Sequence, residues 1–212
     1  LGRASAVTET LLLGTGICLV PERNPLILAN EVATIDMYSK GRFQFGIGAG
    51  WLREETEIMG GDFAHRWTQT KESVMAMKEL WTKTESEYHG KYYDFPPVYS
   101  FPRPVQRPHP PIYLGGHAKN VFKRIVDWGD AWMPNRINPQ DIEAGKIEIE
   151  NLSKEVGRDP SEIGITVYGV PADANLISDF ESAGAERAVI SIESTGEKEA
   201  IAQLEEVASQ LI

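Results

Sequence analysis

The feature that most limits how this chain can fold is the regular alternation of short apolar runs with stretches of helical periodicity. Residues 11–19, 42–50, 112–116, 131–134, 163–170 and 187–192 read as strands. Between them, residues 25–40, 66–82, 118–128, 139–156, 175–183 and a last stretch around 201–211 carry apolar residues at helical spacing. Local signals support the boundaries. Asn24-Pro25 supplies an N-cap and a first helical residue, Pro139 opens another helix, and Gly184 stops the one before it. About six strand-then-helix units predict a parallel sheet with helices outside it.

Two architectures meet that description. A doubly wound sheet needs a phosphate fingerprint whose last glycine opens a helix directly, with an acid about 20 residues on. Gly46 to Gly50 does not supply it, because the next helical pattern waits until residue 66, behind an insertion over 51–65. In a (β/α)8 barrel, ligand groups come from the carboxyl ends of several strands. Here glycine or polar residues end nearly every strand: Gly14-Thr15-Gly16, Gly48-Ala49-Gly50, Gly115-Gly116-His117 and Asn135-Arg136. The spread favours an α/β fold of the TIM-barrel type with about six βα units, and the length predicts a single domain over residues 1–212.

The stretch Gly41 to Glu55 concentrates the chemistry. Phe43, Phe45 and Ile47 suit a buried strand, and Gly46, Gly48 and Gly50 let the backbone approach a flat ligand closely. Trp51, Arg53, Glu54 and Glu55 then add a stacking face, a cation and two carboxylates. The plain alternative is a glycine-rich turn followed by a solvated helix start. Residues 85–111, rich in tyrosine and proline, read as a packed loop that opens with a small hairpin around Tyr88-His89-Gly90-Lys91-Tyr92. That segment enters the strand at Ile112 from its amino end, so it is expected to be structural and remote from a ligand.

Charge and cysteine content narrow the function. A formal charge of -10 and a pI near 4.9 disfavour nucleic acid, whose binders carry a basic stripe. Any phosphate must be held locally, by helix N-termini and single arginines. The one cysteine, Cys18, excludes an internal disulfide and fits a reducing cytoplasm. No apolar run reaches membrane-spanning length. No two of the four histidines have metal-ligand spacing; His65, His89 and His109 read as structural or solvated.

Taken together, several segments resemble the luciferase-like monooxygenase family, the flavin- and deazaflavin-dependent barrels, and within it the branch that uses coenzyme F-420. They are Leu13-Gly14-Thr15-Gly16 with Arg23-Asn24-Pro25, Gly41-Arg42 with Gly46 to Glu55, Pro104 to Ile112, Gly115-Gly116-His117, and Gly129-Asp130-Ala131-Trp132. Each is weak alone, and their order and spacing carry the likeness; residues 136–212 match only as generic βα units.

The resemblance implies an oxidoreductase that transfers hydride between a bound deazaflavin (F-420) or FMN and a small organic substrate. An FMN-dependent monooxygenase using dioxygen and a non-catalytic barrel fragment acting as an interaction module are the alternatives. It places Thr15, Gly16 and Ile17 behind the cofactor ring, with a kink at Gly16-Ile17 that is often a non-prolyl cis peptide in the family and otherwise an ordinary glycine bulge. Trp51 and Glu54 would border the cofactor. Gly115, Gly116 and His117, opening the next helix, would take its phosphate. Arg53 would assist there, or would simply pair with a neighbouring glutamate. The catalytic residues are not assigned, a homodimer is expected, and the family's first two βα units have no counterpart before Leu1. A fragment is the favoured explanation; the other is association that covers the open edge.

Overall fold

A short helix, α1 (Gly2–Val7), leads into two strands of two residues each, β1 (Leu13–Gly14) and β2 (Cys18–Leu19), where the sequence predicts one buried strand over 11–19. The break falls at Thr15 to Ile17. Thr15 turns its hydroxyl onto the Gly46 carbonyl at 2.7 Å, and the Gly16–Ile17 peptide is cis. The flanking side chains are not enclosed: Leu11, Leu12 and Ile17 are all substantially exposed.

This computed structural model describes residues 1–193 and 195–211, and the chain divides into two compact units, residues 1–113 and 114–212. In the first unit, Asn24 caps α2 (Pro25–Tyr38), its Oδ1 accepting from the Leu26 N–H at 2.9 Å. Both β1 and β2 pair in parallel with β3 (Phe43–Gly48), Leu13 opposite Phe43 and Cys18 opposite Ile47. The alternation along β3 sorts its side chains. Phe43, Phe45 and Ile47 are fully buried, while Gln44 on the other face accepts from the Tyr113 hydroxyl at 2.7 Å.

The predicted insertion folds as α3 (Arg53–Ile58) and a single 3-10 turn over Phe63–His65, and then α4 (Arg66–Thr82) begins. Of the face expected from Trp67, Val74, Met77 and Trp81, the last three are buried and Trp67 is half-buried. The Trp81 ring meets Phe45 edge-on with centroids 6.3 Å apart, and its indole N–H donates to the Ala29 carbonyl at 2.9 Å, tying α4 to α2. Burying each such aromatic is worth roughly 2 to 3 kcal/mol, the largest individual apolar gains of this unit. An antiparallel hairpin, β4 (Ser86–His89) with β5 (Asp94–Val98), follows where the tyrosine-rich turn predicts one. Its tyrosines dock on the preceding elements: the Tyr92 hydroxyl donates to Asp62 at 2.9 Å and the Tyr93 hydroxyl accepts from Gln69 at 3.2 Å. The hairpin therefore braces the insertion as well as α4.

The strand β6 (Ile112–Gly115) begins in the first unit, beside β3, and ends in the second. There the order continues through β7 (Ala131–Met133), β8 (Gly164–Val170) and β9 (Arg187–Ile190), with β7–β8 and β8–β9 parallel. The intervening helices are α5 (Val121–Trp128), α6 (Pro139–Val156) and α7 (Ala174–Ala183), and α8 (Glu197–Leu211) ends the described chain. Asn138 and Asp141 form a reciprocal capping box at the start of α6, and Gly157 and Gly184 close α6 and α7 in the left-handed conformation. Arg158 then donates to the carbonyls of Ile125, Val126 and Gly129, capping the end of α5.

One helix starts later than expected. The sequence places the start of α5 at His117 and Ala118, but the first helical residue is Val121. The Val121 N–H is already spent on the Ala118 carbonyl at 2.8 Å, and the Asn120 side chain does not cap. Gly116 to Asn120 therefore form a turn in front of the helix.

Candidate functional site

In the first unit a hollow of about 780 Å³ runs along α2, bordered by the start of α1, residues 15–19 and Phe43 and Phe45 of β3. Thr15 and Ile17 line it, together with Cys18, Glu22, Arg23 and Glu55. Ile17 lays its Cδ1 over the α-carbon of Gly48, in the space that a β-carbon would take. Glu22 ends the 3-10 turn after β2 and its Oε1 receives the Thr56 hydroxyl at 3.4 Å. Burial, and then the negative charge of Glu55, push the Glu22 carboxyl above its ordinary range. Of the groups lining this hollow, Glu22 is thus suited to keep a proton to higher pH than an ordinary carboxylate. The sequence reading passed over it, although it stands in a loop at the carboxyl end of a strand, where barrel ligand groups gather.

Trp51, Arg53 and Glu54 do not line that hollow. The Trp51 ring is 82% exposed, and Glu54 lies in the exposed first turn of α3. The Arg53 guanidinium donates to Glu57 at 2.7 Å, both side chains more than half exposed, and lies 4.6 Å from the centre of the Phe63 ring. That is the neighbouring-glutamate arrangement named as the alternative. Arg66 also lies over the Phe63 ring, at 4.1 Å, and donates to the Gly50 carbonyl at 3.0 Å. It fixes the turn that carries Trp51, and nothing in the local sequence announced it.

The second unit has its own hollow, of about 610 Å³, at the ends of β6 and β7. Gly115 ends β6, and Gly116 turns the chain with φ of 90°, a conformation that side chains rarely adopt. A β-carbon on Gly116 would meet nothing within 4 Å, so open space lies over the turn. His117 and Lys119 line the hollow from this turn, and Arg136 lines it from the loop after β7, itself held at φ of 52°. Asp141 also faces it, with one carboxylate oxygen engaged by the Asn138 N–H in the capping box. Trp132 forms the floor. Its indole N–H donates to the Gly116 carbonyl at 2.7 Å, and its ring is gripped edge-on by Phe122 at 4.8 Å and by the bare α-carbon of Gly145 on α6.

With this architecture the chain belongs to the luciferase-like monooxygenase family, which it matches over residues 1–206. An uncharacterized protein of Mycobacterium tuberculosis (strain ATCC 25618 / H37Rv) is 32% identical over 217 residues, covering 100% of this chain and 74% of that protein. The FMNH(2)-dependent dimethylsulfone monooxygenase of Pseudomonas putida is 27% identical over 176 residues, covering 79% of this chain and 47% of its own length. Among solved structures, the coenzyme F420 dependent tetrahydromethanopterin reductase from Methanopyrus kandleri superposes with a TM-score of 0.77 at 20% identity, covering 100% of this chain and 86% of that one. At that identity the likeness shows the fold, an α/β barrel with alternating strands and helices.

The turn at residues 115–117 has an accessible backbone. Its central residue holds a backbone shape reserved for glycine with open space over it, and the hollow beside it is lined by two cations, Lys119 and Arg136, and by two carboxylates, Asp141 and Glu148.

Proposed function

We propose that the protein is an oxidoreductase that holds F-420 or FMN and transfers hydride between that cofactor and a small organic substrate. The observation that carries this reading is the open turn at Gly115, Gly116 and His117, beside a hollow to which Lys119 and Arg136 contribute as well as Asp141 and Glu148, at the place where the family resemblance puts a cofactor phosphate. Lys119 and Arg136 would neutralise the phosphate, and His117 would present its main-chain N–H to it. Taken separately, the first unit holds Thr15, Gly16 and Ile17, the residues that the resemblance assigns to a cofactor ring; Trp51 and Glu54 do not line the hollow there, and Arg53 would reach an anion only by leaving Glu57. The ring supplies the redox chemistry when bound, and the protein's contribution is orientation and electrostatics. Glu22 is the side chain we assign to hold a proton near the reacting groups.

A second reading, an FMN-dependent monooxygenase using dioxygen, is favoured by the 27% identity to the Pseudomonas putida enzyme. The two readings are separated by titrating the protein with oxidised F-420 and with FMN and following each chromophore's absorbance and fluorescence. Saturable binding of F-420 in preference to FMN supports hydride transfer with the deazaflavin. Preference for FMN, with oxygen uptake on reduction, supports the monooxygenase. Binding of neither overturns the cofactor assignment and leaves the interaction module.

A further inference from the structure

The floor of the second unit's hollow is more than packing. A trans peptide sets its C=O and N–H on opposite sides, so whatever holds the carbonyl of one residue also aims the N–H of the next. The Gly116–His117 peptide is of this kind. Its carbonyl accepts the Trp132 indole N–H at 2.7 Å, which turns the His117 N–H away from the Trp132 ring.

The donor itself has little freedom. Trp132 is 1% exposed, Phe122 from α5 meets its ring at 76°, and α6 closes over it at Gly145, where any side chain would strike the indole. By contrast the peptide it holds belongs to a residue with almost no restraint of its own. Gly116 can occupy φ of 90° and many other values at little steric cost. A flexible peptide next to a rigid donor takes its orientation from the donor.

We propose that Trp132 is the positioning residue for phosphate recognition: by holding the Gly116 carbonyl it fixes the main-chain N–H of His117 in the direction that meets the cofactor's phosphate. This rests on the reading of residues 115–117 as the phosphate turn. Trp132 touches neither phosphate nor ring, and acts through the backbone it orients.

The test uses Trp132→Phe, which keeps an aromatic ring against Phe122 and Gly145 but removes the N–H. The affinity of the full chain is measured by fluorescence titration for whichever of FMN and F-420 it binds, and for the same chromophore without its phosphate (riboflavin, or the phosphate-free deazaflavin riboside). The wild-type protein should prefer the phosphorylated form. In the variant that preference should fall about tenfold, the size of one hydrogen bond, with affinity for the phosphate-free form unchanged. An equal loss for both forms, or an unchanged preference in a folded variant, overturns the proposal. A wild-type protein that binds both forms alike removes the phosphate reading itself, and the proposal with it. Should Trp132→Phe not fold, replacing Trp132 by its benzothienyl analogue, which has the indole's shape and no N–H, gives the same comparison.

Discussion

The carboxylate of Asp36, fully buried on α2, accepts the side-chain amide of Gln106 at 2.6 Å across 70 positions of sequence. It also accepts the main-chain N–H groups of Val105 and Gln106, at 2.7 and 3.0 Å. Gln106 in turn donates to the Phe43 carbonyl at 2.7 Å. The proline-rich approach to β6 is thereby anchored on α2 and β3. Asp36→Ala would strand three donors, and should destabilise the protein by about 3 kcal/mol, with Gln106→Ala costing less because it leaves the two main-chain bonds in place. Chemical denaturation of both variants checks the order.

Arg42 plays a comparable part for the amino-terminal residues. It is 9% exposed and has no carboxylate partner among the ion pairs of the described residues; its guanidinium donates instead to the carbonyls of Ser5, Thr8, Leu11 and Ser39 and to the Thr8 hydroxyl. Arg42→Met keeps much of the side chain's apolar stem and should cost roughly 2 to 4 kcal/mol, releasing residues 1–12 to limited proteolysis before the rest of the chain unfolds. Cleavage first in the 85–111 segment would contradict this.

The raised pKa of Glu22 has a definite sign in stability. The fold favours its protonated form, so its contribution is complete below the ordinary carboxylate range and is lost as the pH rises through the raised folded value. Glu22→Gln, which retains an acceptor for Thr56, should therefore melt higher than the wild-type protein at pH 7. The difference should vanish below about pH 4, where both states of the wild-type carboxyl are protonated. Melting curves across that range check it, and a variant that melts lower at pH 7 would show that burial and Glu55 do not govern this group.

Much of the scaffold was legible because its signals are local. Asn24-Pro25, Pro139 and Gly184 act within a few residues of themselves, and each ends or opens a helix as read. Residues 11–19 were misread as one strand because the break depends on Thr15 meeting Gly46, a contact 31 residues away that periodicity does not encode. The late start of α5 has the same origin: an asparagine at 120 invites capping, but the turn after Gly116 is set by Trp132, whose position depends on Gly145 in another helix. Family likeness points to Gly116 and His117 but not to Glu22, Arg66 or Arg136; Arg136 and Glu22 do follow strand ends, the general mark of barrel ligand groups, whereas nothing next to Arg66 marks it and packing alone brings it to the Gly50 turn.

Gly116→Val decides whether the turn at residues 115–117 receives an anionic cofactor. A β-branched residue is strained at φ of 90° and would project into the open space over the turn. The measurement is the affinity for F-420 or FMN of wild-type and variant proteins, with circular dichroism confirming that the variant is folded. If the turn holds the cofactor's phosphate, the folded variant's cofactor affinity falls by about 100-fold or more, the loss of two or more hydrogen bonds to a charged group. Unchanged affinity in a folded Gly116→Val protein would contradict it.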